Sequence, residues 1–135
     1  METNRDAVSE VGIVEAWHEA LNNSDIERLV TLSHSNVEVG GPHGTGHGTK
    51  LLQEWADRAN IRLEPLRIFH WDETVVAQQE AEWISAETRL VTGSQIVASV
   101  FVVRNAQVAS VVRYDNLAKA LHKANLDESH EVRAD

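Results

Sequence analysis

Apolar residues recur at helical spacing in three segments of the first half of the chain. These segments are 8–21, 26–32 and 49–60, and in each the apolar positions fall on one side of a helix. Ser24 and Glu27 have the spacing of a capping box, in which each side chain bonds a free backbone N–H at the start of a helix. The pattern predicts three amphipathic helices, the second of them capped by Ser24.

The second half changes to the two-residue period of β-strands. Alternation over 61–71 is interrupted by Pro65, which cannot donate a ladder hydrogen bond and so predicts an edge strand or a bulge. Residues 74–86 alternate with their apolar side chains at odd positions. Segments 94–104 and 107–115 are nearly continuous in Val, Ile, Ala and Phe. They are therefore predicted to be central antiparallel strands joined by a short turn.

Helices and strands are segregated along the chain. Two helices precede a short strand at 36–39, and a third helix, four strands and a closing helix at 117–126 follow. Such segregation predicts an α+β fold and argues against a doubly wound parallel sheet. We assign 1–126 to a single domain and 127–135 to a polar C-terminal tail that we expect to be mobile.

Composition and charge narrow the function classes. The 135 residues are 42% hydrophobic and 24% charged, which is ordinary for a globular protein. The net charge of −9 disfavours nucleic acid and anionic membranes as partners, because the field of the protein repels phosphate. The absence of cysteine excludes disulfides, thiolate metal sites and cysteine nucleophiles. No segment has the apolar length of a membrane span or signal peptide, so we expect a cytoplasmic protein.

A glycine-rich segment at 40–48 holds five of the seven glycines. It also contains His43 and His47, but a four-residue spacing aligns two metal ligands only on a helix, so we expect no metal. Neither a dinucleotide-binding fingerprint nor a Walker motif is present, and we expect no cofactor. We interpret the segment as the mouth of a pocket, where histidine can donate, accept or shuttle a proton. The alternative is two solvated loop histidines.

Other polar and aromatic residues could face the same pocket. Gln79 is polar on an otherwise apolar strand face, so it either contacts a polar group of a ligand or satisfies a buried backbone group. Trp55 and Trp83 could line an aromatic ligand or belong to the core. Segment 94–115 is apolar on both faces while only one face can meet the helices, which predicts a homodimer.

The order of elements, together with particular residues, resembles the NTF2-like superfamily, and within it the SnoaL-like polyketide cyclases and the ketosteroid isomerases. The resemblance rests on Trp17, on the segments 32–39 and 48–55, and on residues 113–115 at the end of the last strand. It implies a cystatin-like cone in which N-terminal helices pack on a curved antiparallel sheet and enclose a pocket. It also implies pairing of two copies through the outer sheet face.

The resemblance transfers only part of the family's chemistry. The carboxylate base of the ketosteroid isomerases is missing, because Val39, Gly40 and Gly41 stand after the first strand. The arginine that the family's limonene-epoxide hydrolases carry on the long middle strand is missing from 79–82 as well. SnoaL-like cyclases keep an aspartate after an aromatic residue at the end of the last strand, where this chain has Tyr114-Asp115.

Asp115 is therefore the candidate general base, and Arg113 and Tyr114 are candidate substrate-binding residues. Arg113 shares strand parity with Asp115, so both would face the pocket together. Alternatively, Asp115 caps the following helix or pairs with Arg113. The sequence predicts a protein that binds a small, hydrophobic, carbonyl-containing ligand, with isomerase or cyclase acid/base chemistry. The alternative is a non-catalytic ligand-binding or dimerisation module.

Overall fold

Four helices and six strands form the fold. The computed structural model describes residues 9–132, apart from the side chains of residues 58 and 59. The elements run in the order α1 (Glu10–Asn22), α2 (Ile26–Thr31), β1 (Ser33–Gly41), β2 (Gly44–His47), α3 (Thr49–Ala59), β3 (Ile61–Trp71), β4 (Thr74–Ile84), β5 (Val91–Arg104), β6 (Gln107–Tyr114) and α4 (Leu117–Ala124). The predicted α+β fold is confirmed, and the four later strands lie within a few residues of their predicted bounds.

All six strands belong to one sheet in the order β2-β1-β6-β5-β4-β3. Neighbours pair antiparallel except β1 and β6, which run parallel. β3 is an edge strand, and its pairing with β4 shifts register between Pro65 and Arg67. Both outcomes predicted from Pro65 are therefore present, because the missing proline N–H is tolerated at an edge and at a bulge.

The helix boundaries show one wrong prediction. α2 is capped by Asp25, whose side chain accepts from the backbone N–H of Arg28 (3.2 Å). Ser24 instead adopts a positive φ of 56° in the tight turn after α1. Asn60 ends α3 in the left-handed conformation, as its position after the apolar stripe predicted.

The glycine-rich segment is a hairpin and not an open loop. β1 and β2 pair from Glu38 opposite His47 to Gly41 opposite Gly44, and a two-residue turn joins them. An added Cβ at Gly40 would lie 2.6 Å from the carbonyl oxygen of Gly44, and one at Gly46 would lie 2.6 Å from Leu51 of α3. Both glycines thus permit a close approach, of the two strands to each other and of the hairpin to α3.

The inner face of the sheet carries the main core. Side chains from α1, α2 and α3 pack there on the odd positions of β4 and β5 and around the buried Trp17 and Phe101. Asn22, the last residue of α1, bonds both backbone groups of Leu63 on the edge strand (2.8 and 2.9 Å). Asn22 therefore supplies the hydrogen bonds that a further strand would have given to that part of β3.

The outer face of the sheet is covered by α4, which corrects the argument for a dimer. A second apolar cluster joins Ala120 and Leu121 of α4 to Phe69, Val76 and Ala98 of the sheet. We expected only one face of segment 94–115 to meet helices, but both do. The predicted homodimer stays a prediction, and its supposed apolar face is already occupied in part within the chain.

The segment predicted as a tail is tied to β3 as far as Val132. A short 3-10 helix, Glu128–His130, follows α4, and Arg67 on β3 bonds Glu131 (2.9 and 2.8 Å) and Glu128 (2.6 Å). The backbone N–H of Val132 donates to the carbonyl of Ile68 (2.8 Å). The mobility of the segment stays a prediction, and residues 133–135 lie outside the described part of the chain.

Candidate functional site

A cavity of 510 Å³ opens between the helices, the β1–β2 hairpin and the inner face of the sheet. Its wall is mainly apolar and includes backbone of the glycine-rich hairpin. It is lined by Trp17, Val39, Gly40, Gly41, Pro42, His43, Gly44, Thr45, Gly46, Leu51, Trp55, Ile61, Leu63, Ser99, Val111 and Arg113. The volume and the few convergent polar groups are typical of a site for a small molecule.

Two tryptophans form one wall of the cavity. The rings of Trp17 and Trp55 are stacked, with centroids 6.5 Å apart and planes 21° apart. Trp17 also makes an edge contact with Phe101 at 5.3 Å, and its Nε1–H donates to Ser33 (3.2 Å). These contacts fix the indole of Trp17, which is only 1% exposed. The half-buried Trp55 is therefore the ring with more surface open to a ligand.

Arg113 carries the one permanent charge among the described residues that line the cavity. Within the part of the chain that the structure describes, no Asp, Glu or Lys lines the cavity, and Arg113 is half-buried. Within residues 9–132 no carboxylate pairs with its guanidinium. A half-buried guanidinium with no carboxylate beside it can pair with an oxygen that carries negative or partial negative charge.

Ser99 lies beside Arg113 on the floor of the cavity. The two residues face each other across the β5–β6 pairing, which places their Cβ atoms about 5 Å apart. The Ser99 hydroxyl donates to Oε1 of Gln79 (2.8 Å). A neutral polar group and a cation thus stand side by side on an apolar floor.

A buried polar chain runs behind this floor. Gln79 and His18 are fully buried, and Nε2 of Gln79 lies 2.7 Å from Nε2 of His18. Nδ1 of His18 lies 2.8 Å from the carbonyl oxygen of Val14, which can only accept, so Nδ1 carries the proton. Burial lowers the pKa of His18 from 6.5 to about 4, against an opposing contribution from the Val14 bond. The imidazole is therefore neutral near pH 7.

Three of the predicted site residues line the cavity: His43, Trp55 and Arg113. His43 is exposed in the turn between β1 and β2, at the mouth of the cavity. Gln79 lies behind the wall and bonds His18 and Ser99, where we had expected either a ligand or a backbone partner. Trp83 is half-buried against the main core and is not among the lining residues.

The other three predicted residues lie elsewhere. Asp115 is 59% exposed and pairs with Lys119 (3.5 Å), because β6 ends at Tyr114 and strand parity no longer orients the next residue. Tyr114 packs on the outer face beside α4, where burial, and secondarily Glu38, raise its pKa. His47 lines a separate outer groove with Glu38. The structure therefore does not bring these three side chains to the cavity.

No metal site is evident in the part of the chain that the structure describes. No three side chains of the ligating types His, Asp and Glu cluster there. His43 and His47 line different cavities. His43 lies in the turn of the hairpin, and His47 is the last residue of β2.

Sequence reasoning missed Ser99, His18 and the cavity-facing role of Trp17. Ser99 could have been predicted from the two-residue period of β5. It is a polar residue between Val97 and Phe101, and alternation places all three side chains on the inner face. His18 gave no comparable signal, because its partner Gln79 is 61 residues away.

Several solved structures are similar to this chain in fold. No protein-family model and no curated protein sequence matches the chain. An NTF2-like protein of unknown function from Cytophaga hutchinsonii superposes with a TM-score of 0.70 at 13% identity, over 84% of this chain and 93% of the other. A proposed polyketide cyclase from Xanthomonas campestris gives 0.66 at 21%, over 82% and 92%. TerC, co-crystallized with polyporic acid, gives 0.68 at 17%, over 84% and 95%.

These likenesses show the fold, which is NTF2-like, as the resemblance implied. The cystatin-like arrangement of helices on an open, mostly antiparallel sheet is shared with these structures. Within residues 9–132, no helix has both the length and the apolar character needed to cross a membrane.

Proposed function

We propose that the protein binds a small, largely apolar ligand that carries a carboxylate or carbonyl oxygen, and that Arg113 is the partner of this oxygen. The observation that carries the proposal is the half-buried guanidinium of Arg113 on the floor of a mainly apolar cavity, with no carboxylate beside it in the described chain. Guanidinium and carboxylate match in charge and in planar geometry. Trp17 and Trp55 would contact the apolar part of the ligand.

The neighbouring structures support a small molecule as the ligand. TerC, which has this fold, was co-crystallized with polyporic acid. The cavity of 510 Å³ is large enough for a ligand of one or two rings.

The experiment is a titration of isotope-labelled protein with benzoate and cinnamate, followed by NMR. A charge-assisted hydrogen bond contributes about 1.5–3 kcal/mol, so Arg113→Gln should weaken binding about 10- to 100-fold. Arg62→Gln is the matched control, because Arg62 is exposed and lies outside the cavity lining. Equal affinities of the wild type and Arg113→Gln, or no binding of either acid, would contradict the proposal.

Acid/base isomerase or cyclase chemistry is the second candidate, and the position of His43 favours it. His43 is the lining side chain that can both take and return a proton, whereas Asp115 pairs with Lys119 outside the cavity. If a carbonyl compound is turned over, His43→Ala should reduce kcat and Asp115→Asn should not. The reverse outcome would restore Asp115 as the base.

Homodimerisation remains part of the proposal, as the resemblance implied it. Exposed apolar side chains on the described surface include Leu66 and Ile96. Sedimentation at micromolar concentration tests the dimer, and a monomer there would exclude it.

A further inference from the structure

The buried chain behind the cavity fixes the direction in which Ser99 can hydrogen-bond. It starts at the carbonyl oxygen of Val14, which only accepts, so the proton of neutral His18 lies on Nδ1. Nε2 of His18 then has only a lone pair. Its neighbour in Gln79 must therefore be the amide NH₂, at 2.7 Å.

The direction of hydrogen bonding continues from His18 through Gln79 to Ser99 at the cavity. With the NH₂ group turned to His18, Oε1 of Gln79 faces Ser99 and accepts the serine proton at 2.8 Å. A serine hydroxyl has one proton, and the proton of Ser99 is donated to Gln79 behind the cavity floor. Within the described residues no other donor or acceptor contacts the Ser99 hydroxyl, so its remaining lone pairs are the ones available to the cavity.

We infer that Ser99 acts in the cavity as a hydrogen-bond acceptor only, and that the site therefore selects ligands with a hydroxyl or N–H donor close to the oxygen held by Arg113. This inference rests on the proposed function for its anionic oxygen. The donor requirement is new, because it follows from the order of bonds through His18, Gln79 and Ser99. The ligand class is a hydroxy acid, a hydroxy ketone or an enol whose donor oxygen can reach Ser99 while its acceptor oxygen meets Arg113.

The spacing of Arg113 and Ser99 agrees with such a ligand. Their strand positions are directly paired, so their side chains leave the floor side by side, about 5 Å apart at Cβ. A cationic donor beside a neutral acceptor is complementary to a carbonyl or carboxylate beside a hydroxyl. A ligand with only acceptor oxygens would place a lone pair against the lone pairs of Ser99.

The first test needs no ligand. The ¹⁵N shifts of the His18 ring at neutral pH should show a protonated Nδ1 and an unprotonated Nε2. The opposite tautomer would reverse the direction of the hydrogen bonds between His18, Gln79 and Ser99. Ser99 would then be a donor to the cavity, and the inference would be overturned.

The second test compares three acids of similar size: benzoate, 3-hydroxybenzoate and 3-fluorobenzoate. Wild-type protein should bind the hydroxy acid about 5- to 10-fold more tightly than the fluoro acid, as expected for one added neutral hydrogen bond. Ser99→Ala should abolish this preference and leave benzoate binding nearly unchanged. Ser110→Ala is the matched control, because Ser110 bonds Glu38 on the outer face (2.9 Å) and should keep the preference.

The outcomes separate this inference from the proposed function. Binding of all three acids without a preference would overturn the role of Ser99 and leave Arg113 intact. A preference that survives in Ser99→Ala would also overturn that role. Failure of every acid to bind would contradict the proposed function together with the ligand class inferred here. The His18 tautomer alone would then decide the direction of the hydrogen bonds from His18 through Gln79 to Ser99.

Discussion

Protonation of His18 should destabilise the fold as the pH falls below about 6.5. The ring is 2% exposed and packs against Phe101 with the ring centroids 5.3 Å apart and the planes tilted by 50°, and no charged side chain of the described residues contacts it. Burial lowers its pKa from 6.5 to about 4. Between these two values the unfolded chain binds more protons than the folded chain, so stability must rise with pH.

The magnitude follows from the size of the shift. Each pKa unit corresponds to about 1.4 kcal/mol, so the shift from 6.5 to about 4 corresponds to a stability difference on the order of 3 kcal/mol. This difference is fully present above pH 6.5 and is lost progressively as the pH falls towards 4. It is a substantial fraction of the 5–15 kcal/mol, roughly, that stabilises a domain of this size.

Urea unfolding at a series of pH values measures the effect. Carboxylates also titrate in this range, so the wild type is compared with His18→Gln, which cannot be protonated there. The variant should be less stable at pH 7, because its shorter amide cannot span both partners of the ring, and it should lose about 2–3 kcal/mol less than the wild type on acidification. His122→Gln, on the exposed side of α4, should keep the wild-type profile. Identical pH profiles for the wild type and His18→Gln would refute the reasoning.

Two further predictions concern the hairpin and the C-terminal segment. Gly40→Ala should destabilise the fold by about 1–3 kcal/mol, because the new Cβ would meet the facing β2 backbone at 2.6 Å. Gly93→Ala is the matched control, because a Cβ at Gly93 meets nothing within 4 Å. Urea unfolding measures both variants, and an equal loss of stability in the two would exclude this explanation. Arg67→Gln should speed hydrogen exchange at the Val132 amide, because it removes the three hydrogen bonds of the guanidinium to Glu128 and Glu131. The matched control is Arg104→Gln, which breaks the exposed ion pair between Arg104 and Glu73 and should leave the exchange rate of the Val132 amide unchanged. Equal exchange rates in the wild type and both variants would contradict the role of Arg67.

Local pattern in the sequence was enough to predict the α+β class and most of the elements. The two-residue period determines which side chains of β4 and β5 face the same way, so the inward position of Gln79 followed from its neighbours. Arg113 was predicted to face the cavity only together with Asp115, but it lines the cavity without Asp115, because it lies within β6, where parity holds. Asp115 does not follow this parity, because β6 ends one residue earlier and the Asp115 side chain turns to Lys119.

Only the tertiary structure decided what the inward residues do. The parallel pairing of β1 with β6 and the packing of α4 on the outer face depend on contacts between distant segments, for which no local periodicity exists. The same holds for the chain from His18 through Gln79 to Ser99, whose members are 61 and 20 residues apart. The sequence by itself determined which face of each strand is apolar. The direction of hydrogen bonding at the floor of the cavity depends on three side chains that meet only when the helices close on the sheet.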